Sequence, residues 1–113
     1  MPFVQVKTNA KITLNDEISI KSELGKLIKI IPGKSESWLM VDIKGEEKMY
    51  FKGSEEKCAM IEVMLYGGAS DSSLNEFTGE VTDFISKTLA IDASRIYVSY
   101  FLTDKWGYAG SNF

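Results

Sequence analysis

The sequence predicts an α+β fold. Two β-α-β units form one four-stranded mixed sheet with both helices on one face. Three observations carry this reading. Two amphipathic helical stretches stand out in the 113 residues, each flanked by runs of β-branched and aromatic residues. The two halves match apolar to apolar when one is shifted by 57 positions, the separation of Leu39 and Ile96. A chain of this length makes one domain, residues 1–113, and with 44% hydrophobic residues it can build a core.

Phe3-Val4-Gln5-Val6-Lys7-Thr8 reads as the first strand. A helix follows over about 15–31, with Asn15 as N-cap and Asp16 and Glu17 in its first turn. Its stripe is Ile20, Leu24, Leu27, Ile28 and Ile31, and Pro32-Gly33 stops it. The second strand is 38–43. Gly45-Glu46-Glu47 then turns the chain into a further strand candidate, Lys48-Met49-Tyr50-Phe51. The third main strand is 58–66. A second helix over about 72–89, capped by Asp71 or Ser72, carries Leu74, Phe77, Val81, Phe84, Ile85 and Leu89 on one stripe. The closing strand is 96–102.

The shift carries Val4 to Ile61, Ile20 to Phe77, Leu27 to Phe84 and Val41 to Val98. It defines pseudo-repeats at about 2–44 and 58–102. Each crossover is expected to be right-handed, with its own strands parallel. Strands 38–43, 58–66 and 96–102 read as almost continuously apolar, the pattern of strands buried on both faces. Both helices lie on one face, so the other is expected to be covered by further copies of the chain, with the site near subunit boundaries.

Composition narrows the chemistry. There is no histidine, which removes Ser-His-Asp and Cys-His catalysis. Cys58 is the one cysteine, so no intramolecular disulfide, CxxC pair or cysteine-based zinc cluster can form. A net charge of −3, with lysines dispersed along the chain, argues against nucleic acid as partner. No apolar run approaches the roughly 20 residues a membrane span needs, and no signal peptide is recognisable. A cytoplasmic location is expected, with export by a non-classical route as the alternative. An acid or base must come from Asp, Glu, Lys, Tyr, Cys or a chain terminus.

Pro2 follows the initiator methionine. Removal of Met1 exposes a secondary amine, and α-amino groups titrate near ~8. Burial lowers that value and leaves a neutral base at physiological pH. The plainer alternative is a proline that merely starts an edge strand. Lys34 either complements a helix C-terminus or binds a carboxylate. Gly33-Lys34-Ser35 resembles the tail of a phosphate-binding loop, but Ile28 stands where that loop needs glycine. Tyr97 is either a core residue or a phenol that donates to substrate. Gly67-Gly68 reads as a turn, and Glu46-Glu47 and Glu55-Glu56 as solvated loop charges.

Several local features together resemble the tautomerase superfamily. They are Pro2, a first strand running into Lys7-Thr8-Asn9-Ala10, Gly33-Lys34, Phe51-x-Gly53-Ser54 before Cys58-Ala59, and Gly67-Gly68. Arg95-Ile96-Tyr97 and the closing Trp106-Gly107-Tyr108-x-Gly110-Ser111-x-Phe113 complete the set. The resemblance covers the whole chain, and the nearest branch is the macrophage migration inhibitory factor and D-dopachrome tautomerase family.

That resemblance implies the family's tautomerase fold, a homotrimer with sites between subunits, and no cofactor or metal. Pro2 is implied as catalytic base and Lys34 as the lysine that binds substrate. Tyr66 matches a backbone contact, and Tyr97 a residue reaching in from a neighbouring subunit. Ser99 sits where relatives often carry a substrate-binding asparagine. Trp38, Trp106, Tyr108 and Phe113 match an aromatic rim, and Phe3 the floor.

The implied activity is keto-enol tautomerisation of phenylpyruvate-like α-keto acids and D-dopachrome-like compounds. The alternative is a cytokine-like protein with vestigial catalysis, its partner a host cytokine receptor. Departures bear on this. Ser99 for asparagine and Tyr66 for a smaller aliphatic residue should change substrate preference. Cys58-Ala59-Met60-Ile61 lacks the second cysteine of a CxxC, so the thiol-disulfide activity of some members is not expected. The sole arginine, Arg95, opens a strand, which disfavours the arginine-dependent dehalogenase and decarboxylase branches.

Overall fold

A computed structural model describes residues 1–113. β1 (Pro2–Thr8) leads to α1 (Leu14–Leu27), β2 (Met40–Lys44), β3 (Ala59–Tyr66), α2 (Asp71–Leu89) and β4 (Ile96–Thr103). A C-terminal hairpin, β5 (Gly107–Tyr108) and β6 (Ser111–Asn112), closes the chain and was not foreseen from sequence. The four long strands form one mixed sheet in the order β2-β1-β3-β4. β1 runs parallel to β2 and β3 to β4, while the central pair β1 and β3 is antiparallel.

The two units share one plan in their pairing. Val4 lies opposite Val41, and their counterparts 57 positions on, Ile61 and Val98, lie opposite each other. At the centre Val4 faces Val63 and Val6 faces Ile61, symmetrically about Gln5 and Glu62. Both helices pack on the face formed by Val4, Val6, Ile61, Val63 and Leu65. The α1 stripe of Ile20, Leu24, Leu27, Ile28 and Ile31 is buried there, as are Phe77, Val81, Ile85 and Leu89 of α2. This apolar burial supplies the main drive for the fold.

The element ends differ from the expectations, each for a local reason. α1 is capped by Thr13, not Asn15. The Thr13 hydroxyl accepts from the Asp16 amide while the Asp16 carboxylate accepts from the Thr13 amide, and this reciprocal box puts Asn15 inside the first turn. The α-helix ends at Leu27 and tightens into a 3-10 turn at Ile28–Ile30. Ile31 is already extended, because proline at 32 disfavours helical backbone in the residue before it. α2 is capped by Ser70, one residue before Asp71 and two before Ser72, the predicted caps, through its hydroxyl and the Ser73 amide. Trp38 belongs to a 3-10 turn, Glu36–Trp38, so the second strand starts at Met40 rather than 38. Lys48–Phe51 is not a strand. Phe51 makes a single bridge to Ser54, and Asn9 holds this loop by donating to the carbonyls of Met49, Glu55 and Glu56.

The second sheet face is uncovered within one chain. Strand β3 alternates between buried and partly exposed residues rather than being buried throughout. Met40 is 66% exposed, Tyr97 60% and Phe101 53% on the strands of this sheet. Polar groups on the same face pair with one another: Lys7 with Glu62 at 3.2 Å, and Gln5 with Asp42 at 2.6 Å.

Candidate active site

Pro2 begins β1 and is buried opposite Leu65 of β3. The pairing continues one residue further, where the Tyr66 amide donates to the Met1 carbonyl at 3.1 Å. The end of the central strand pair therefore fixes where the N-terminus lies. Lys34 approaches from the other side. The turn after α1 reverses at Gly33, whose φ of +81° suits glycine, and the Lys34 amide donates to the Ile31 carbonyl at 3.1 Å. The Lys34 ammonium then donates to the Tyr66 carbonyl at 2.7 Å.

A hollow of about 370 Å³ opens beside Pro2. Phe3 lines it from β1, and Met1 from just before that strand. Trp38, Leu39 and Met40 line it from the entry to β2, and Trp106, Gly107 and Tyr108 from the hairpin. Trp38 meets Tyr108 edge to face at 5.2 Å. Tyr66 packs on Phe113 at 5.2 Å and on Trp106 at 6.5 Å.

The terminal amine of Met1 lies close to Lys34. Burial is the first cause that holds its pKa below the usual α-amino value. The positive charge of Lys34 and a hydrogen bond with that side chain lower it further. A cation and a nearby amine thus share one end of the sheet, and the amine is pushed toward its neutral form. That is the electrostatic setting a proton-abstracting amine requires.

Eight of the ten residues singled out from sequence gather here: Pro2, Phe3, Lys34, Trp38, Tyr66, Trp106, Tyr108 and Phe113. Tyr97 and Ser99 do not. Tyr97 lies opposite Met60 and packs against Phe51 at 4.9 Å, and Ser99 lies opposite Glu62. At about 3.3 Å per residue, these rows are roughly 17 and 10 Å along the sheet from that of Pro2.

Ser37, Leu39 and Met40 also line the hollow and escaped the sequence reading. The start of β2 at Met40 puts them at the mouth. That boundary was misplaced because 38–43 reads as one apolar run. A larger hollow of about 530 Å³ lies between α1 and β2, but two of its three charged side chains, Lys21 and Asp42, are paired. Lys21 faces Glu36, and Asp42 faces Gln5 and Lys44. No three His, Cys, Asp or Glu side chains gather to ligate a metal ion.

The chain as a whole is similar to known proteins. The chain is 26% identical over 103 residues to macrophage migration inhibitory factor of Xenopus laevis, covering 89% of this chain and 87% of that one. It is 25% identical over 115 residues to a macrophage migration inhibitory factor homolog of Trichuris trichiura, covering both in full. The crystal structure of Leishmania major MIF2 superposes with a TM-score of 0.92 at 27% identity, over 100% of this chain and 97% of that one. The macrophage migration inhibitory factor (MIF) family model matches residues 1–113. With the whole chain matched and the whole fold shared, the chain belongs to the macrophage migration inhibitory factor family.

Proposed function

We propose that this protein is a keto-enol tautomerase acting on phenylpyruvate-like α-keto acids, with D-dopachrome-like compounds as further substrates. One observation carries the reading. Pro2 stands beside an aromatic-walled hollow with the ammonium of Lys34 at the same strand end. While Met1 is attached, the Pro2 nitrogen is an amide and has no useful basicity. Its removal makes that nitrogen a secondary amine, in the surroundings that already depress the pKa of the Met1 amine.

The neutral amine takes a proton from the carbon next to the keto group. That C–H bond breaks, the electrons move to the carbonyl, and a proton is delivered to its oxygen. The reverse direction returns the proton to carbon. Lys34 holds the substrate carboxylate. Trp38, Trp106, Tyr108 and Phe113 hold the ring, above Phe3. Tyr97 and Ser99 act in the site of a neighbouring subunit of a homotrimer, since each lies far along the sheet from Pro2 of its own chain.

The test uses protein whose intact mass shows that Met1 is absent. Interconversion of the phenylpyruvate enol and ketone is followed by absorbance. Pro2→Gly is expected to lower the rate at least about 100-fold, the usual contribution of a positioned base. A rate equal to that of the parent protein overturns the assignment.

The names of the relatives support a second reading, a cytokine-like protein that binds a host receptor. Receptor binding retained by Pro2→Gly, with no turnover in the parent, favours it.

A further inference from the structure

We propose that Arg95 is a positioning residue that sets the direction of the Tyr97 phenol through the ring of Phe51. Its kinetic consequence rests on the tautomerase reading, in which Tyr97 serves the site of a neighbouring subunit. Its structural consequence does not. Arg95 is the only arginine in the chain, and no step of the proposed mechanism uses it. It ends the 3-10 turn Ala93–Arg95 that leads into β4. Asp92 fixes that turn. Its carboxylate accepts from the Ser94 amide at 2.9 Å, and its carbonyl accepts from the Arg95 amide at 2.8 Å. Ile96 then points into the core, so Tyr97 points to the opposite face of the sheet.

The guanidinium gathers a loop about 40 residues earlier in the sequence. Nε donates to the Lys57 carbonyl at 2.9 Å. Nη2 donates to the carbonyls of Ser54 at 3.2 Å and Glu56 at 3.0 Å. A planar fork meets several carbonyls in this way, whereas an ammonium is a single charged point and cannot hold the same geometry. The loop starts with a two-residue turn. Lys52 and Gly53 have φ of +53° and +73°, and Phe51 and Ser54 exchange backbone hydrogen bonds of 2.9 and 3.1 Å. Holding Ser54 therefore holds Phe51. The guanidinium carbon also lies 5.1 Å from the centre of the Phe51 ring, a cation–π contact. Phe51 in turn meets Tyr97 edge to face, at 4.9 Å and 77°. Pairing with Met60 fixes the backbone of Tyr97, and the Phe51 ring fixes the direction of its side chain.

The experiment uses full chains trimmed of Met1, with 3-fluorotyrosine in place of tyrosine. The Tyr97 fluorine signal is assigned by its loss in Tyr97→Phe. Arg95→Lys keeps the charge and loses the fork, while Asn9 still tethers the loop through the Met49, Glu55 and Glu56 carbonyls. In this variant the Tyr97 signal is expected to move toward its position in the unfolded chain, with the remaining tyrosine signals in place. Phe51→Leu keeps the Arg95 hydrogen bonds and removes the ring. It is expected to move the Tyr97 signal in the same direction. KM and kcat for phenylpyruvate are measured in parallel. Arg95→Lys is expected to raise KM about tenfold, more than any fall in kcat, the scale of one misdirected hydrogen bond to a charged substrate. In the Tyr97→Phe background it is expected to add nothing, since the phenol it directs is already gone.

An unmoved Tyr97 signal in Arg95→Lys overturns the proposal. A shift of every tyrosine signal with a lower Tm also overturns it, since Arg95 is then a general packing residue. A Tyr97 signal that Phe51→Leu leaves in place removes the ring from the relay and overturns it too. So does a KM effect of Arg95→Lys that persists in the Tyr97→Phe background. A parent with no turnover defeats the tautomerase reading alone, and the fluorine spectra still decide whether Arg95 directs Tyr97.

Discussion

At the residue scale the informative side chain is Lys34. It donates to the Tyr66 carbonyl and lies near the Met1 amine, so the proposed mechanism has it act on both substrate and, once Met1 is removed, the Pro2 base. Its positive charge disfavours protonation of the amine, after burial has done so. A base whose pKa is depressed stays neutral to lower pH. The rate therefore falls only when pH drops below that lowered pKa. Lys34→Gln removes one lowering influence, so the acid-side fall in kcat/KM is expected to begin at higher pH. In the proposed mechanism the same change also removes a charge-assisted hydrogen bond to the substrate carboxylate. KM is expected to rise about tenfold or more, the equivalent of about 1.5–3 kcal/mol. Steady-state kinetics of phenylpyruvate conversion across pH checks both. An unshifted pH profile would remove Lys34 from the tuning of the base.

At the element scale the caps decide where the helices lie. Thr13 and Ser70 each supply a side-chain oxygen to an otherwise orphaned amide. The end of α2 is less favourable. Ala90 sits in the left-handed region with φ 55°, where a Cβ is strained, while its amide donates to the Ser86 carbonyl. Ser86 also binds the next residue, since its hydroxyl donates to the Ile91 carbonyl at 2.6 Å. The reversal is held in place by its bonds, so glycine at this position relieves strain without changing the path. Ala90→Gly is expected to stabilise the protein by about 1 kcal/mol. Urea unfolding would show a higher midpoint with an unchanged slope. The ring of Tyr100 belongs to the same level. Its hydroxyl donates to the Leu74 carbonyl at 2.9 Å and lies 2.7 Å from that of Thr78, which ties β4 to α2.

At the scale of the whole molecule the uncovered sheet face dominates. Met40, Tyr97 and Phe101 expose large apolar surface that a lone chain would present to water. Burying it against further copies, with Tyr97 and Ser99 turned toward neighbouring sites, gives the proposed homotrimer. Sedimentation at micromolar concentration is expected to give three times the 12.6 kDa chain mass. A stable monomer overturns this assembly and leaves Tyr97 and Ser99 without a site. No helix is long and apolar enough to cross a membrane.

Much of this was legible in the residues themselves. Helical spacing at Ile20, Leu24, Leu27 and Ile28, and again at Phe77, Val81 and Ile85, specifies which helix faces meet the sheet. The shift of 57 positions anticipates a shared pairing plan because β-α-β units of equal length bring equivalent residues opposite each other. Pro2, Lys34 and the aromatic residues could be chosen by residue type and motif order. Cap positions and the start of β2 were not legible, since they turn on which hydroxyl reaches which amide and which residue leaves extended backbone. Only the tertiary structure decided that Pro2, Lys34 and the C-terminal rings share one strand end while Tyr97 and Ser99 lie rows away. Sequence carries local periodicity and chemistry. Proximity between residues 2, 34, 66 and 106–113 depends on strand register and on the closing of long loops, which no local pattern encodes.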